Sequence, residues 1–175
     1  MKELPQHLLQ RWIRLRTINL PRGIRFALDV GTARIGVARC DPDATMAFPV
    51  STIKAGSEAV SELAGLIAEY EPLAVYIGLP MGLKGNVTAS TQMAIDFGKQ
   101  LHSIFEEKEI SLHVAMVDER LSTVSATNSL QAAGRNSKNS REFIDQAAAV
   151  IILEQALAIE MSTSKLAGIS IEDYK

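Results

Sequence analysis

The sequence predicts an α/β fold in which a mixed five-stranded sheet carries helices on both faces. From Ile24 to Ile53 the chain alternates apolar and polar residues between turn-forming residues, which is typical of antiparallel strands. From Ser57 onward, segments with an apolar residue about every 3.6 positions alternate with short apolar runs. This second pattern is typical of helices that alternate with buried parallel strands.

Three antiparallel strands are expected to open the sheet. Ile24–Val30 alternates as a strand, Gly31–Arg34 forms a turn, and Ile35–Cys40 returns beside the first strand. A second turn leads to a third strand over Ala47–Ile53. Because Pro49 cannot donate a ladder hydrogen bond, this strand is expected at an edge of the sheet.

Four helices and two parallel strands are expected in the rest of the chain. Ser57 is the predicted N-cap of a first helix that ends before Pro72, and a strand buried on both faces follows. A cationic loop at residues 134–141 precedes the last helix, and the tail from Ser162 is expected to be frayed. The predicted bounds are Leu73–Leu79 and Leu112–Val117 for the strands, a second helix containing Ala94, Phe97, Leu101 and Ile104, a third from Ser122 or Thr123 to Gly134, and a last from Ser140 to about Glu160.

The composition is that of one folded domain. The chain has 175 residues, of which 47% are hydrophobic and 22% are charged. The domain is expected over residues 23–161, between a basic extension at residues 1–22 and a tail at residues 162–175. For the extension, an amphipathic helix and a poorly ordered segment are equally open. The formal net charge is −2, so a nucleic-acid partner would need a local basic patch.

The expected location is the cytoplasm. Cys40 is the only cysteine, which rules out an internal disulfide and a cysteine-based zinc site and favours a reducing compartment. No apolar run approaches the ~20 residues needed to span a bilayer. Arg11, Arg14 and Arg16 interrupt the apolar residues near the N-terminus, so no signal peptide and no membrane partner are expected.

Two acidic residues are predicted to face the interior. Asp29 lies within the first strand, where an unpaired charge is costly, so it either accepts hydrogen bonds from the following turn or binds a metal. Asp145 begins a helical stripe that should pack against the sheet; alone, it could simply complement the helix dipole. Together the two acids favour a shared site. The stripe consists of Asp145, Ala148, Ala149, Ile152 and Ala156.

A third acid follows the fifth strand, at Asp118 or Glu119. This is the carboxyl end of a parallel strand, where open α/β sheets gather their sites. The sequence leaves open which of the two points inward, and a helix cap or an ion pair with Arg120 is the structural alternative. Converging carboxylates without His or Cys select Mg²⁺ or Mn²⁺. Because two such ions ~3.5–4 Å apart promote phosphodiester cleavage by water, the acids predict a metal-dependent nuclease.

Four blocks of the sequence together resemble the YqgF/RuvX family, relatives of the RuvC Holliday junction resolvases within the ribonuclease H-like superfamily. The resemblance covers residues 24–160, and departs from the family pattern in the loop between Met81 and Val87, which concerns substrate contacts and not the metal site. The blocks are Leu28–Ala38, Gly78–Pro80 with Gly85, Asp118–Thr123 and Ile144–Ala148.

The resemblance implies a ribonuclease H-like fold and a nuclease that processes the 5′ end of pre-16S ribosomal RNA. Some members are discussed as Holliday junction resolvases, which would make branched DNA the alternative substrate. It also implies that the catalytic, metal-binding acids are Asp29, the acid at 118–119 and Asp145. Arg34 matches a turn arginine of the family, which could contact a phosphate or pair with a carboxylate.

Nucleic-acid binding would require basic side chains near the scissile bond, because phosphates carry most of the affinity. With only 5% aromatic residues the chain offers no obvious platform for base stacking, so structured RNA or branched DNA recognised by backbone and shape is expected. The candidates are Arg34, Lys84, Arg120, Arg135, Lys138 and Arg141, of which Lys84 taken alone is typical of an ordinary solvated surface.

Two other classes of function remain. A nucleotide-binding ATPase of the same fold would share the turn at Asp29–Thr32, but needs a second lobe and a second phosphate loop that the sequence lacks. A non-enzymatic binder in transcription or ribosome assembly would not be expected to keep the acids. A junction resolvase must dimerise. The sequence shows no clear apolar stripe that would form a dimer interface, so a monomer or weak homodimer is expected.

Overall fold

The computed structural model describes residues 20–82, 84–119 and 140–174 of the chain. In these residues the chain forms one sheet, with helices packed on both of its faces. The strands are β1 Arg25–Val30, β2 Arg34–Cys40, β3 Ala47–Lys54, β4 Ala74–Leu79, β5 His113–Asp118 and β6 Ile169–Ser170; the helices are α1 Ala59–Ala68, α2 Ala89–Glu107, α3 Ser140–Thr163 and a 3₁₀ turn at Ile171–Asp173.

The sheet has the strand order β3-β2-β1-β4-β5-β6. β1 pairs antiparallel with β2 and parallel with β4, and β4 pairs parallel with β5. β3 forms one edge, as its proline predicts, and its register against β2 shifts between Val37 and Ala38, where Pro49 lies opposite Ala38. The predicted α/β class, with three antiparallel strands followed by two parallel ones, is confirmed. The predicted count of five strands was wrong, because β6 adds a sixth.

Two apolar layers cover the two faces of the sheet. Along β1, Phe26 and Leu28 point to the layer that α1 and α2 cover, whereas Ala27 points to the layer that α3 covers. Asp29 follows Ala27 at the two-residue period of a strand and therefore lies on the α3 face. The α3 layer is built largely from small residues, including Ala149 and Ala156, which lets the helix lie close to the sheet.

The helices start and end close to the predicted positions. α1 begins after Glu58, whose side chain makes no capping hydrogen bond, so the prediction of Ser57 as its cap was wrong. Thr88 caps α2 through a reciprocal capping box with Thr91. The predicted third helix, from Ser122 or Thr123 to Gly134, lies outside the described residues, as do residues 1–19 of the basic extension. No helix in the described ranges has the length and apolar character required to cross a membrane.

The C-terminal segment is ordered against the domain, contrary to the frayed tail expected from the sequence. After α3 the chain pairs antiparallel with the edge of β5, opposite Ala115 and Met116. Ala167 and Ile171 are almost fully buried, and the imidazole of His102 on α2 lies 3.3 Å from the carboxylate of Glu172. Burial of these apolar residues stabilises a segment that is too short to show a sequence period.

A buried charged network joins β1, β4 and α3 at the start of β1. Arg25 and Glu160 have side chains only 1% exposed, and their guanidinium and carboxylate groups lie 3.0 Å apart. The Tyr76 hydroxyl donates a hydrogen bond to Glu160, while Arg25 also donates to the carbonyl oxygens of Gly23 and Pro21. Because every charge here is paired, the network can remain inside the protein.

Candidate metal centre

Asp29 occupies a half-buried position under the N-terminal part of α3. It is paired across the sheet with Gly36 of β2, and residues directly opposite each other project to the same face. No hydrogen bond to its carboxylate from the described residues is found; the Gly31 amide instead closes the adjoining turn by donating to the Arg34 carbonyl at 2.9 Å. The structure therefore does not support the turn-capping alternative for Asp29.

Gly36 is the point at which α3 touches the sheet. A Cβ atom at this position would overlap the backbone carbonyl of Asp145, so only glycine allows the helix to approach so closely. The helix contact thus places Asp145 directly above the β1–β2 pair that carries Asp29. No sequence pattern indicates this contact, because an isolated glycine in a strand is equally typical of a bulge or a close approach of another segment.

Glu119, and not Asp118, is the acid that faces Asp29. A Cβ at Gly78, the neighbouring residue on β4, would overlap the Glu119 carboxylate, which places this carboxylate over the α3 face of the sheet. Asp118 lies in register with Leu79 and lines a different cavity of about 440 Å³, together with Tyr174 and Met116. The structure thus places Asp29, Glu119 and Asp145 on the same face of the sheet, whereas Asp118 follows Met116 on the opposite face.

Two acids of this cluster, Asp29 and Glu119, have raised pKa values. Burial first, and then the charge of Asp145, raise the pKa of Asp29 to about 6. Burial first, and then the charges of Asp29 and Asp118, raise the pKa of Glu119 to about 7. A bound cation stabilises ionised carboxylates in a partly desolvated site, and a set of carboxylate oxygens suits a hard ion such as Mg²⁺ or Mn²⁺. The donor set therefore fits the predicted ion.

One side of the cluster is held by polar contacts with β2 and β3. The Arg34 guanidinium donates to the Asp145 carboxylate, with 2.5 Å between Nε and Oδ2. Gln146, the next residue of α3, donates a hydrogen bond from its side-chain amide to the Thr52 hydroxyl at 3.2 Å. Arg34 therefore orients Asp145 through an ion pair, which was one of the two roles that the sequence left open for it.

Of the other basic residues predicted to bind nucleic acid, only Lys84 has a side chain that the structure describes. Lys84 is exposed in the loop after β4. Arg120, Arg135 and Lys138 lie outside the described residues, and the side chain of Arg141, near the start of α3, also lies outside them. Their predicted role stays a prediction.

A second group of possible metal ligands lies elsewhere, on α2 and the 3₁₀ turn. His102 lies 3.6 Å from Glu106 and 3.3 Å from Glu172. These residues share no element with Asp29, Glu119 or Asp145. Ion pairing of a histidine with two exposed acids, which fastens the C-terminal segment to α2, accounts for the arrangement.

The metal-free protein is expected to lose stability as the pH rises from about 4 to about 7. Asp29 and Glu119 have a higher pKa in the folded protein than their usual values of 3.8 and 4.5, so the folded state binds their protons more tightly than the unfolded state. Their contribution is favourable at low pH and is lost as both ionise, with a combined effect on the order of 2 kcal/mol after allowance for solvent screening.

Thermal unfolding followed by circular dichroism in EDTA, across that pH range, measures this effect. The Glu119→Gln variant is the matched control, and its unfolding midpoint should vary less with pH than that of the wild type. A wild-type midpoint that falls between about pH 4 and about pH 7 no more steeply than that of the variant would contradict the predicted effect of these acids.

The strand order and the acids beneath the last helix define the chain as a protein of the ribonuclease H-like class. The solved structure of T. thermophilus RuvC in complex with a Holliday junction substrate superposes with a TM-score of 0.52, covering 83% of this chain and 99% of that one. At 15% sequence identity, this similarity shows the fold alone.

The profile of the RuvX family, described as "Holliday junction resolvase", matches residues 23–159. A protein of Streptomyces avermitilis named "Putative pre-16S rRNA nuclease" is 43% identical over 157 residues, covering 89% of this chain and 98% of its own length. A protein of the same name from Streptomyces coelicolor is 46% identical, covering 86% of this chain and 89% of its own length. The chain belongs to the RuvX family, which confirms the resemblance found in the sequence.

Proposed function

We propose that this protein is a metal-dependent nuclease that hydrolyses phosphodiester bonds at the 5′ end of pre-16S ribosomal RNA, in the cytoplasm. The observation that carries the proposal is the convergence of Asp29, Glu119 and Asp145 on one face of the sheet, where burial and neighbouring acids raise the pKa of Asp29 and of Glu119. The names of the relatives from Streptomyces support RNA as the substrate.

Asp29, Glu119 and Asp145 would hold the ion. When bound, Mg²⁺ or Mn²⁺ supplies Lewis acidity at a phosphodiester and neutralises charge that develops on its oxygens. Arg34 keeps the Asp145 carboxylate turned towards the sheet, and the contact of α3 with Gly36 fixes its height above Asp29. Asp118 is excluded from the proposed ligand set because it lines the neighbouring cavity.

Cleavage of branched DNA is the second candidate function. It is favoured by the family's description as a Holliday junction resolvase and by the RuvC-like fold. A resolvase must cut two strands symmetrically, so this candidate requires a dimer, whereas RNA processing does not. Oligomeric state and paired cuts therefore distinguish the two functions.

The test compares three labelled substrates, a pre-16S rRNA fragment, a four-way DNA junction and a linear duplex, with Mg²⁺ or Mn²⁺ and with EDTA. Asp29→Asn keeps the side chain's size while removing its charge, and should lower cleavage by at least about 100-fold and weaken Mn²⁺ binding. The control is Asp96→Asn, an exposed acid on α2 that accepts a hydrogen bond from Gln92, one turn away.

Metal-dependent cutting of the RNA that Asp29→Asn loses and Asp96→Asn keeps is the expected result. Paired cuts in the junction with no cutting of RNA would favour the resolvase. If the wild type binds no Mn²⁺ and leaves all three substrates intact, the nuclease proposal is wrong and a non-enzymatic binder takes its place.

A further inference from the structure

We infer that Lys54 at the end of β3 binds a backbone phosphate of the nucleic acid, next to the proposed cleavage site. The inference rests on the proposed nuclease function and adds a residue of the substrate path that sequence patterns did not reveal. The register of the sheet, the local charge and the position of β3 at the edge of the sheet each support this contact.

The register places Lys54 on the same face as the acids. Asp29 of β1 lies opposite Gly36 of β2, and Gly36 lies opposite Thr52 of β3. Two residues further along, Arg34 lies directly opposite Lys54. Because side chains two apart on a strand share a face, Lys54 projects to the side on which Arg34 meets Asp145.

Buried neighbours confirm this assignment of faces. Ile53, between Thr52 and Lys54, is 4% exposed and packs in the other layer, with α1 and α2. Thr52 receives a hydrogen bond from Gln146, the residue after Asp145 on α3. The face that carries Thr52 and Lys54 is therefore the face of the acidic cluster.

The charges at this end of β2 and β3 favour an anion. Arg34 and Lys54 are like charges at directly opposite positions, an arrangement that normally costs stability. Asp145 compensates the charge of Arg34, but no carboxylate in the described parts of the chain lies within ion-pairing distance of Lys54, which is exposed. A phosphate at this point would relieve the repulsion that the protein alone leaves in place.

Because β3 lies at the edge of the sheet, a nucleic-acid backbone bound at the acids could leave the site across this strand. β3 is the last strand on its side of the sheet, and Lys54 is its last residue. A backbone whose scissile phosphate lies at Asp29 and Glu119 would pass Arg34 and then Lys54 as it leaves the sheet. The contact is with the phosphate backbone, so it carries affinity without sequence preference.

The test measures binding of the labelled pre-16S rRNA fragment by fluorescence anisotropy as a function of salt, with Ca²⁺ in place of Mg²⁺. Lys54→Ala should weaken binding about tenfold at about 50 mM salt and about threefold at about 200 mM, because one phosphate contact accounts for a slope of about 0.7–0.9 in log K against log salt. Lys54→Arg should restore most of the affinity. Lys99→Ala, an exposed lysine on α2 beneath the opposite face, is the matched control.

The Mn²⁺ affinity of Lys54→Ala should match that of the wild type. Its unfolding midpoint should be equal or slightly higher, because the repulsion with Arg34 is removed. The loss of cleavage should appear in KM and not in kcat. If the wild type binds and cuts RNA while Lys54→Ala has the affinity and salt slope of Lys99→Ala, the inference fails and the nuclease function stands. If the wild type neither binds nor cuts nucleic acid, both fail. If the protein binds only the DNA junction tightly, and this binding depends on Lys54 in the same way, the inferred phosphate contact is supported but the substrate is branched DNA and not RNA.

Discussion

Gly36→Ala is expected to lower cleavage by about 100-fold or more while the protein still folds. The new methyl group would overlap the backbone carbonyl of Asp145, and a backbone atom cannot move away by rotating a side chain. The N-terminal part of α3 must therefore shift away from the sheet and carry Asp145 with it. A displacement of about 1 Å in a catalytic group costs about this factor in rate, and the overlap itself costs about 1–3 kcal/mol of stability.

The measurement is cleavage of the RNA fragment together with Mn²⁺ affinity and the unfolding midpoint. Gly65→Ala in α1 is the matched control, because a Cβ there meets no atom within 4 Å. That substitution should stabilise the helix by about 0.5–1 kcal/mol and leave cleavage unchanged. Wild-type activity and Mn²⁺ affinity in Gly36→Ala would show that the close contact of α3 does not set the position of Asp145.

Arg25→Met is expected to lower the free energy of unfolding by about 3–5 kcal/mol. The substitution keeps an unbranched side chain but leaves the Glu160 carboxylate, 1% exposed, without its cationic partner. The hydroxyl of Tyr76 would be its remaining hydrogen-bond donor among the described contacts, and burial together with this acid already raises the pKa of that phenol. Chemical denaturation followed by fluorescence or circular dichroism measures the loss.

Two further variants test the origin of that loss. Arg22→Met makes the same change in an ion pair with Asp43 in which both side chains are mostly exposed, so its unfolding curve should coincide with that of the wild type. Arg25→Met combined with Glu160→Gln should recover a large part of the stability, because no buried charge is then left unpaired. If the double variant is no more stable than Arg25→Met, lost packing and not an isolated charge explains the effect.

The main features of the fold could be predicted because they rest on patterns that extend over many residues. Strand alternation between Ile24 and Ile53 and helical periods after Ser57 identified the sheet and the helices on its faces. The stripe that begins at Asp145 also emerged from a helical period, and its members Ala149, Ile152 and Ala156 are buried as expected. The family resemblance added the expectation that the protein processes the 5′ end of pre-16S ribosomal RNA, which no period or spacing indicates.

The features that could not be predicted depend on single contacts between distant segments. Asp118 and Glu119 are adjacent at the end of a strand, and the sequence left open which of them faces Asp29. In the structure the Glu119 carboxylate occupies the space next to Gly78 that a Cβ atom would otherwise fill. Lys54 has the sequence context of a solvated lysine on an edge strand. Its face becomes known only from the pairing register, which depends on the irregularity between Val37 and Ala38.

The acids of the candidate centre come from three elements that are far apart along the chain. Arg34 and Asp145, which meet beside Asp29, are separated by 111 residues. Contacts of such long range pay a large loop-closure entropy and form late in folding. The proposed ion-binding site would consequently form only after α3 has docked on a completed sheet, so a partly folded chain would lack the proposed nuclease activity.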